Sequence, residues 1–207
     1  MMLGIYVPFW QYDYQTHYDF EGEGTRVRVW TQGDTEYTET SYYHIIRQME
    51  ADFDKVPVDA SFMMDDGEMD LMEPYTYKEL EDFNPKYMSG FEGEVYNQSA
   101  PELEGRAQGK VRDASESLMQ RSLGGYNSIR PGRRNLNLHR NGICFALMPV
   151  WMYLYQYEGK TWRFHVNGQT GKVTGKTPVS KGKVVAYSLT VMLSVSTIFY
   201  LVSAILS

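Results

Sequence analysis

The pattern of apolar and polar positions changes most sharply at the C-terminal end of the chain. Residues 184–207, VVAYSLTVMLSVSTIFYLVSAILS, hold no charged side chain. A helix rises about 1.5 Å per residue and the hydrocarbon core is about 30 Å thick, so this run is long enough to span a bilayer. A core helix of this length usually shows a polar stripe, and here only scattered Ser and Thr interrupt the apolar residues. Its C-terminal position excludes a signal peptide. The run predicts a single transmembrane helix.

Upstream, the periodicity is that of strands. Residues 4–14, GIYVPFWQYDY, read as an aromatic strand, and Pro8, which cannot donate to a ladder, predicts an edge position or a bulge. Residues 25–30 alternate to give one apolar and one basic face, Gln32-Gly33-Asp34 reads as a turn, and the strand pattern resumes over 35–49. From 52 to 98 it loosens. Pro57, Pro74, Pro85 and Gly67, Gly90, Gly93 leave room for loops and brief helical turns at 68–72 and 77–82. Ser99 with Glu102 three residues on has capping-box spacing, and Pro101 is tolerated in a first turn. Leu103, Ala107, Val111, Ala114 and Leu118 then recur at three- and four-residue steps, which predicts a face packed on the sheet, and Gly124-Gly125 ends the helix. Residues 135–140 and 143–157 flank Asn141-Gly142, the strongest short-range hairpin signal. A further hairpin pairs 161–166 with 172–175.

The predicted class is therefore α+β: mostly antiparallel β-strands with one long amphipathic helix, plus a single C-terminal transmembrane helix. The chain divides into a domain at 1–175, a basic linker at 176–183 and the helix at 184–207. A weak internal echo runs through it. Residues 7–14, VPFWQYDY, resemble 148–155, MPVWMYLY, in the Pro, the Trp and two alternating Tyr. Two similar β units bracketing the helix are one explanation, and coincidence in a chain with 17 Tyr is the other.

Charge changes this picture more than composition does. The net charge is −6, but residues 1–49 carry −4, residues 50–104 carry −13 and residues 105–183 carry +11. The basic third leads into the apolar run. Lys172, Lys176, Lys181 and Lys183 precede it, and no Lys or Arg follows. Cations beside a span are retained on the cytoplasmic side, which predicts a single-pass protein of the cell membrane with its large domain cytoplasmic. Cys144 is the one cysteine, so an internal disulfide and a multi-thiolate zinc site are excluded. Its apolar neighbours Ile143, Phe145 and Leu147 predict a buried thiol.

Candidate chemistry is sparse. Residues 171–177, GKVTGKT, suggest a phosphate loop, but three residues separate the glycines where four are required, and Pro178 stands where the helix would start. The cluster Asp65-Asp66-Gly67-Glu68-Met69-Asp70 offers oxygen ligands to a hard cation, yet lacks EF-hand spacing; a solvated helix start is the preferred reading. His17, His44, His139 and His165 share no short-range spacing, and Ser61 lacks nucleophile-elbow glycines. Arg130, Arg133, Arg134 and Arg140, with His139, form the densest basic run. It suits nucleic acid, anionic lipid headgroups or an intramolecular match to the acidic 50–104 segment, the last slightly preferred.

Several segments together resemble a known family. They are GIYVPFW at 4–10, GTRV at 24–27, VPVDAS at 56–61, MDD at 64–66, MEPYTY at 72–77, DF at 82–83, YMSGF at 87–91, MPVW at 148–151 and NGQTGK at 167–172. In order and spacing these resemble the C-terminal, membrane-anchored region of bacterial, mostly Firmicute, TFIIB-type zinc-ribbon-containing proteins. Some of that family carry the name of the replication-restart helicase through the ribbons alone. Family members begin with CxxC-bearing ribbons; this chain has no CxxC, which reads as a truncated copy or a ribbonless variant, and no zinc or other cofactor is expected. The resemblance implies architecture and location, not an activity. The expected function is a non-enzymatic binding or scaffold domain at the cytoplasmic membrane face, its partners the bilayer and a protein. A membrane-tethered nucleic-acid binder is the rival, and a metal-dependent hydrolase built on residues 65–70 a weaker third.

Overall fold

The strand patterns read at 4–14, 25–30 and 35–49 fall on one long hairpin, which continues to Asp59. The computed structural model describes residues 2–62, 64–178 and 180–206. In it β1 (Met2–Gln32) pairs antiparallel with β2 (Thr35–Asp59), from Phe9 opposite Asp59 to Gln32 opposite Thr35. The turn falls at Gly33, whose φ of +64° favours glycine. After β2 come α1 (Asp66–Met72), 3-10 turns at Tyr77–Glu79 and Pro85–Met88, and β3 (Glu92–Gly93), which adds parallel to β1 at Ile5 and Tyr6. Then follow α2 (Ala100–Ser122), β4 (Ser128–Tyr157), β5 (Lys160–Asn167), β6 (Val173–Gly175) and α3 (Lys181–Leu206). The fold is α+β with mostly antiparallel strands in a single curled sheet, ordered β2-β1-β4-β5-β6, and an apolar helix at its C-terminal end.

One expectation fails here. Asn141-Gly142 makes no hairpin: β4 runs straight through it. Asp13 faces Gly142 and Tyr14 faces Arg140, so Asn141 is the extra residue of a β-bulge. On the other side of β1, Tyr12 faces Val56 and Tyr14 faces Phe53, and Lys55 sits in this second bulge at φ +56°. Asp13 Oδ1 accepts from the Lys55 amide at 2.7 Å, while a Cβ on Gly142 would lie 2.9 Å from Asp13 Oδ2. Bulges at the same level on both flanks bend the sheet. Residues with hairpin chemistry thus serve as bulge residues, because both need an irregular backbone.

Pro8 also departs from expectation, since β1 is an interior strand. Its carbonyl accepts from the Ala60 amide at 2.9 Å, so its N-side faces the edge at which β2 has just ended and no ladder bond is lost. The echo segment repeats this geometry. Pro149 accepts from Gly168, just past the end of β5, at 2.8 Å. Val7 lies opposite Met148, its counterpart in the echo, so the two segments sit side by side about a local two-fold.

The core changes face along β1. Odd positions Ile5, Val7 and Phe9 pack with Met69, Met72 and Tyr75 around α1. Even positions Tyr12 and Tyr14 pack with Leu103, Ala107 and Val111 of α2, and Tyr18 and Phe20 with Met119 and Leu123. Successive residues point to opposite faces, so α1 and α2 cover different faces of the strand. On α2, Ser99 N donates to Glu102 Oε2 at 2.7 Å, and the buried positions are Ala100 and then Leu103, Ala107, Val111, Ser115 and Met119, which follow one another at four-residue steps. Ala114 and Leu118 are only half-buried, which corrects the predicted face at its C-terminal end. Cys144 also departs from expectation: it is exposed, bonded to Gln11 Oε1 at 3.2 Å, and partial shielding raises its thiol pKa.

Asn167 ties the end of the sheet to α1. Buried, it donates to the carbonyls of Met72 (3.0 Å) and Pro74 (3.3 Å) and accepts from the amides of Gln169 (2.9 Å) and Thr170 (3.0 Å). Asn167→Ala strips partners from all four groups and is expected to cost about 2–3 kcal/mol in urea unfolding. Met119→Ala is expected to cost about 2–5 kcal/mol and Leu118→Ala clearly less. The reverse order in thermal unfolding would put the buried face where the sequence pattern placed it.

Candidate functional site

Three groups of side chains carried functional expectations: the acidic cluster, the arginine run and the apolar end with its lysines. The acidic cluster is drawn into the fold. Asp65 caps α1, accepting from Glu68 N at 3.0 Å. Asp66 and Asp70 turn to Arg106 of α2, at 3.0 and 2.8 Å, and Arg106 also reaches Asp59 Oδ1 at 2.8 Å. One turn on, Lys110 bridges Asp70 (2.7 Å) and Glu73 (2.6 Å) and donates to the Pro57 carbonyl. The helix-start reading of this cluster holds, with Asp65 as the cap and Asp66 and Glu68 in the first turn, and Asp66 and Asp70 in addition join an ion network between α1, α2 and the end of β2. Among the described residues no group of three or more His, Cys, Asp or Glu is disposed to hold a metal ion.

The four arginines do not form one surface. Arg140 binds Glu104 Oε2 at 2.5 Å and Arg134 binds Glu116 Oε1 at 3.0 Å, both on α2. Arg130 and Arg133 stay exposed, form no ion pair among the described residues and line a shallow depression with Glu21, Glu23 and His44. Two of the four cations are thus matched within the molecule. The histidines are dispersed: His17 lies beside Asp19 and Glu50, His44 beside Glu21, and His165 is buried beside Glu68. Gly171 and Lys172 lie in the β5–β6 turn, with no helix following to cradle a phosphate. Ser61 is buried and bonded to Glu94.

The third group is the C-terminal one. Within α3, Gly182–Ala204 is long and apolar enough to cross a membrane, and none of its described residues is buried against the rest of the molecule. Phe199 and Tyr200 are 76% and 73% exposed. Three of its hydroxyls are satisfied internally: Thr190, Ser194 and Thr197 each donate to the carbonyl four residues back, at 2.8–2.9 Å. That is the arrangement an apolar solvent requires, because hydrocarbon offers polar groups no partner. Of the flanking lysines, Lys172 is committed to the Glu73 carbonyl, Lys176 stands 4.0 Å from Glu68, and Lys183 is exposed; the side chain of Lys181 lies outside the described residues.

Sequence reasoning missed Arg106, Lys110 and Asn167. The signal for the first two was available: Arg106 and Lys110 repeat at the four-residue step of one helical face, opposite the most acidic stretch. Nothing local to the sequence marks Asn167 as a latch.

Comparison with known proteins is consistent with a bacterial lineage. The chain is similar to the uncharacterized protein YdjG of Bacillus subtilis (strain 168), 39% identical over 184 residues, covering 89% of this chain and 54% of that protein. The chain thus spans about half the length of the curated relative it matches. No protein-family profile matches it, and no solved structure does.

Asp59 gives the network a pH signature. Burial pushes its carboxyl up to about 6, against the opposing pull of Arg106. In the unfolded chain it titrates near 4. Between about pH 4 and 6 the folded protein therefore holds a proton that the unfolded chain has released, and this contribution to stability is lost as pH rises through that window. Asp59→Asn should flatten this part of the profile, so the stability of wild type relative to the variant should fall from pH 4 to pH 7. A constant difference in urea unfolding across that range would place the titration elsewhere.

Proposed function

We propose that this chain is a non-enzymatic binding or scaffold domain tethered to the cytoplasmic face of the cell membrane by α3. The observation that carries the reading is the exposure of the described residues of an apolar helix, three of whose hydroxyls are already bonded within it. The hydrophobic effect opposes leaving such a surface in water, and the sheet does not cover it. Exposed Lys183 beside the helix, with Lys176 just before it, supports a cytoplasmic domain. The reading includes the resemblance to the membrane-anchored region of zinc-ribbon-containing proteins, as architecture and location without zinc chemistry. No constellation of nucleophile, base and orienting group emerges from the described side chains to support an enzyme, and the pairing of Asp66 and Asp70 with Arg106 and Lys110 weighs against the hydrolase alternative.

Removing residues 184–207 is expected to transfer the protein from the membrane fraction to the soluble one, still folded and with an unchanged far-UV spectrum. A truncated protein that stays with membranes after a high-salt wash would sink the tether, and one that aggregates would make α3 part of the core. A reporter fused after Ser207 should be active only as an external reporter. Salt-dependent retention of DNA or RNA by the truncated protein would favour the nucleic-acid rival.

A further inference from the structure

Buried polar atoms without partners and unpaired cations meet in a cleft between α1, β5 and the chain leaving β6. The cleft has a volume of about 590 Å³ and is lined by Glu68, Lys160, Trp162, Arg163, His165 and Lys176, among others. His165 is 2% exposed. Its Nε2 has no partner, and its Nδ1 lies 3.2 Å from Glu68 Oε2 without hydrogen-bond alignment. Trp162 Nε1, also buried, has no partner either. Leaving such groups unmatched is costly, so they point to an occupant that is not part of the fold.

The charges around them define that occupant. Lys160 and Arg163 are exposed and form no ion pair among the described residues, and Lys176 is 81% exposed. Three cations and an indole N–H suit a phosphate, which accepts only. The Glu68 carboxylate and the open nitrogen of His165 suit the opposite: a hydroxyl or ammonium that donates. A phosphodiester with a donor-bearing end, phosphoglycerol or phosphoethanolamine, presents both within one small group.

Its source follows from the chain path. Five residue steps separate Lys176 from Lys181, where α3 begins, and at no more than about 3.6 Å each they span at most about 18 Å. The headgroup layer adds roughly 5–8 Å on each side of the hydrocarbon. The cleft therefore stands within reach of the headgroups of the bilayer that would receive α3. We propose that it binds the headgroup of a phospholipid, with the phosphate at Lys160, Arg163 and Lys176 and the donor-bearing end at Glu68 and His165. This rests on the membrane reading above.

The test uses the full chain in detergent micelles, titrated with phosphatidylglycerol, phosphatidylethanolamine and phosphatidylcholine and followed by native mass spectrometry. Phosphatidylcholine carries the phosphate but no donor at its far end. One molecule of phosphatidylglycerol or phosphatidylethanolamine should bind roughly tenfold more tightly than phosphatidylcholine. The double variant Lys160→Ala, Arg163→Ala should lose roughly tenfold. Both side chains are exposed, so thermal unfolding should show the variant folded; Trp162→Phe, which keeps an aromatic ring and removes the N–H, gives a second reading of the same site. Equal retention by wild type and variants, or no preference among the three lipids, overturns the proposal. Binding of soluble glycerophosphoglycerol as tightly as the lipid overturns the membrane source. Fractionation of the same full chain separates the two ideas: a membrane-bound protein with indifferent variants loses the cleft and keeps the tether, whereas a soluble protein loses the tether whatever the cleft binds.

Discussion

A strand paired along both edges has no backbone group left to negotiate with, and β1 is such a strand over much of its length. From Phe9 to Thr25 it lies between β2 and β4, so only its side-chain faces remain to receive the rest of the chain. α1 and α2 are each placed by the face they cover. The odd residues near the start of β1 take α1, and the even residues further along take α2. The bulges beside Asp13 lie near this exchange of faces, and they relieve a strand that would otherwise extend straight for about 100 Å.

The network on Arg106 joins what the sheet separates. Asp59 ends β2, Asp66 and Asp70 belong to α1, and Arg106 belongs to α2; one guanidinium touches all three. Burying Asp59 is costly, and Arg106 offsets only part of that cost, as the raised carboxyl shows. Well-packed apolar residues could match its stability. What the network adds is position, since a fork of fixed geometry binds three carboxylates in one arrangement only, and that fixes how far α2 can slide along α1.

Where local chemistry and tertiary context agree, the sequence was readable. The Gly33 turn, the Ser99 capping box, the loop between β5 and β6 and the apolar end are each determined within a few residues, and each stands where the pattern put it. Asn141-Gly142 and Pro8 were misread because their meaning depends on partners more than a hundred residues away or on where another strand stops. The face of α2 was misplaced from position 114 onward because Ala114 and Leu118 are more apolar than Ser115, although Ser115 is the buried residue. The site was less legible than the fold. Arginines clustered in sequence separate in space, as Arg134 and Arg140 reach different turns of α2 while Arg130 and Arg133 face solvent.

The ladder registers carry one last consequence for a tethered molecule. β5 pairs with β4 only at Val150–Tyr157, beside the first residues of β1, and the chain leaves for α3 from the strand next to it. The β1–β2 turn lies at the other end of the same strand, some thirty residues away. Beyond Thr25, where β4 begins, the hairpin is two-stranded and exposed. It carries Arg26 between the rings of Tyr43 and Tyr126, at 5.1 Å from each, and Arg28 over Trp30, itself stacked on Tyr37 at 5.6 Å. Rings and guanidinium groups held in this order stiffen an arm that has no core beneath it. On the proposed tethering, the end of the sheet that leads into α3 is the one nearest the bilayer, and the stiffened end is the one furthest from it along β1. Within the acidic segment, Asp59, Asp66, Asp70, Glu73 and Glu104 are matched to Arg106, Lys110 and Arg140, so that part of its charge is already used inside the fold.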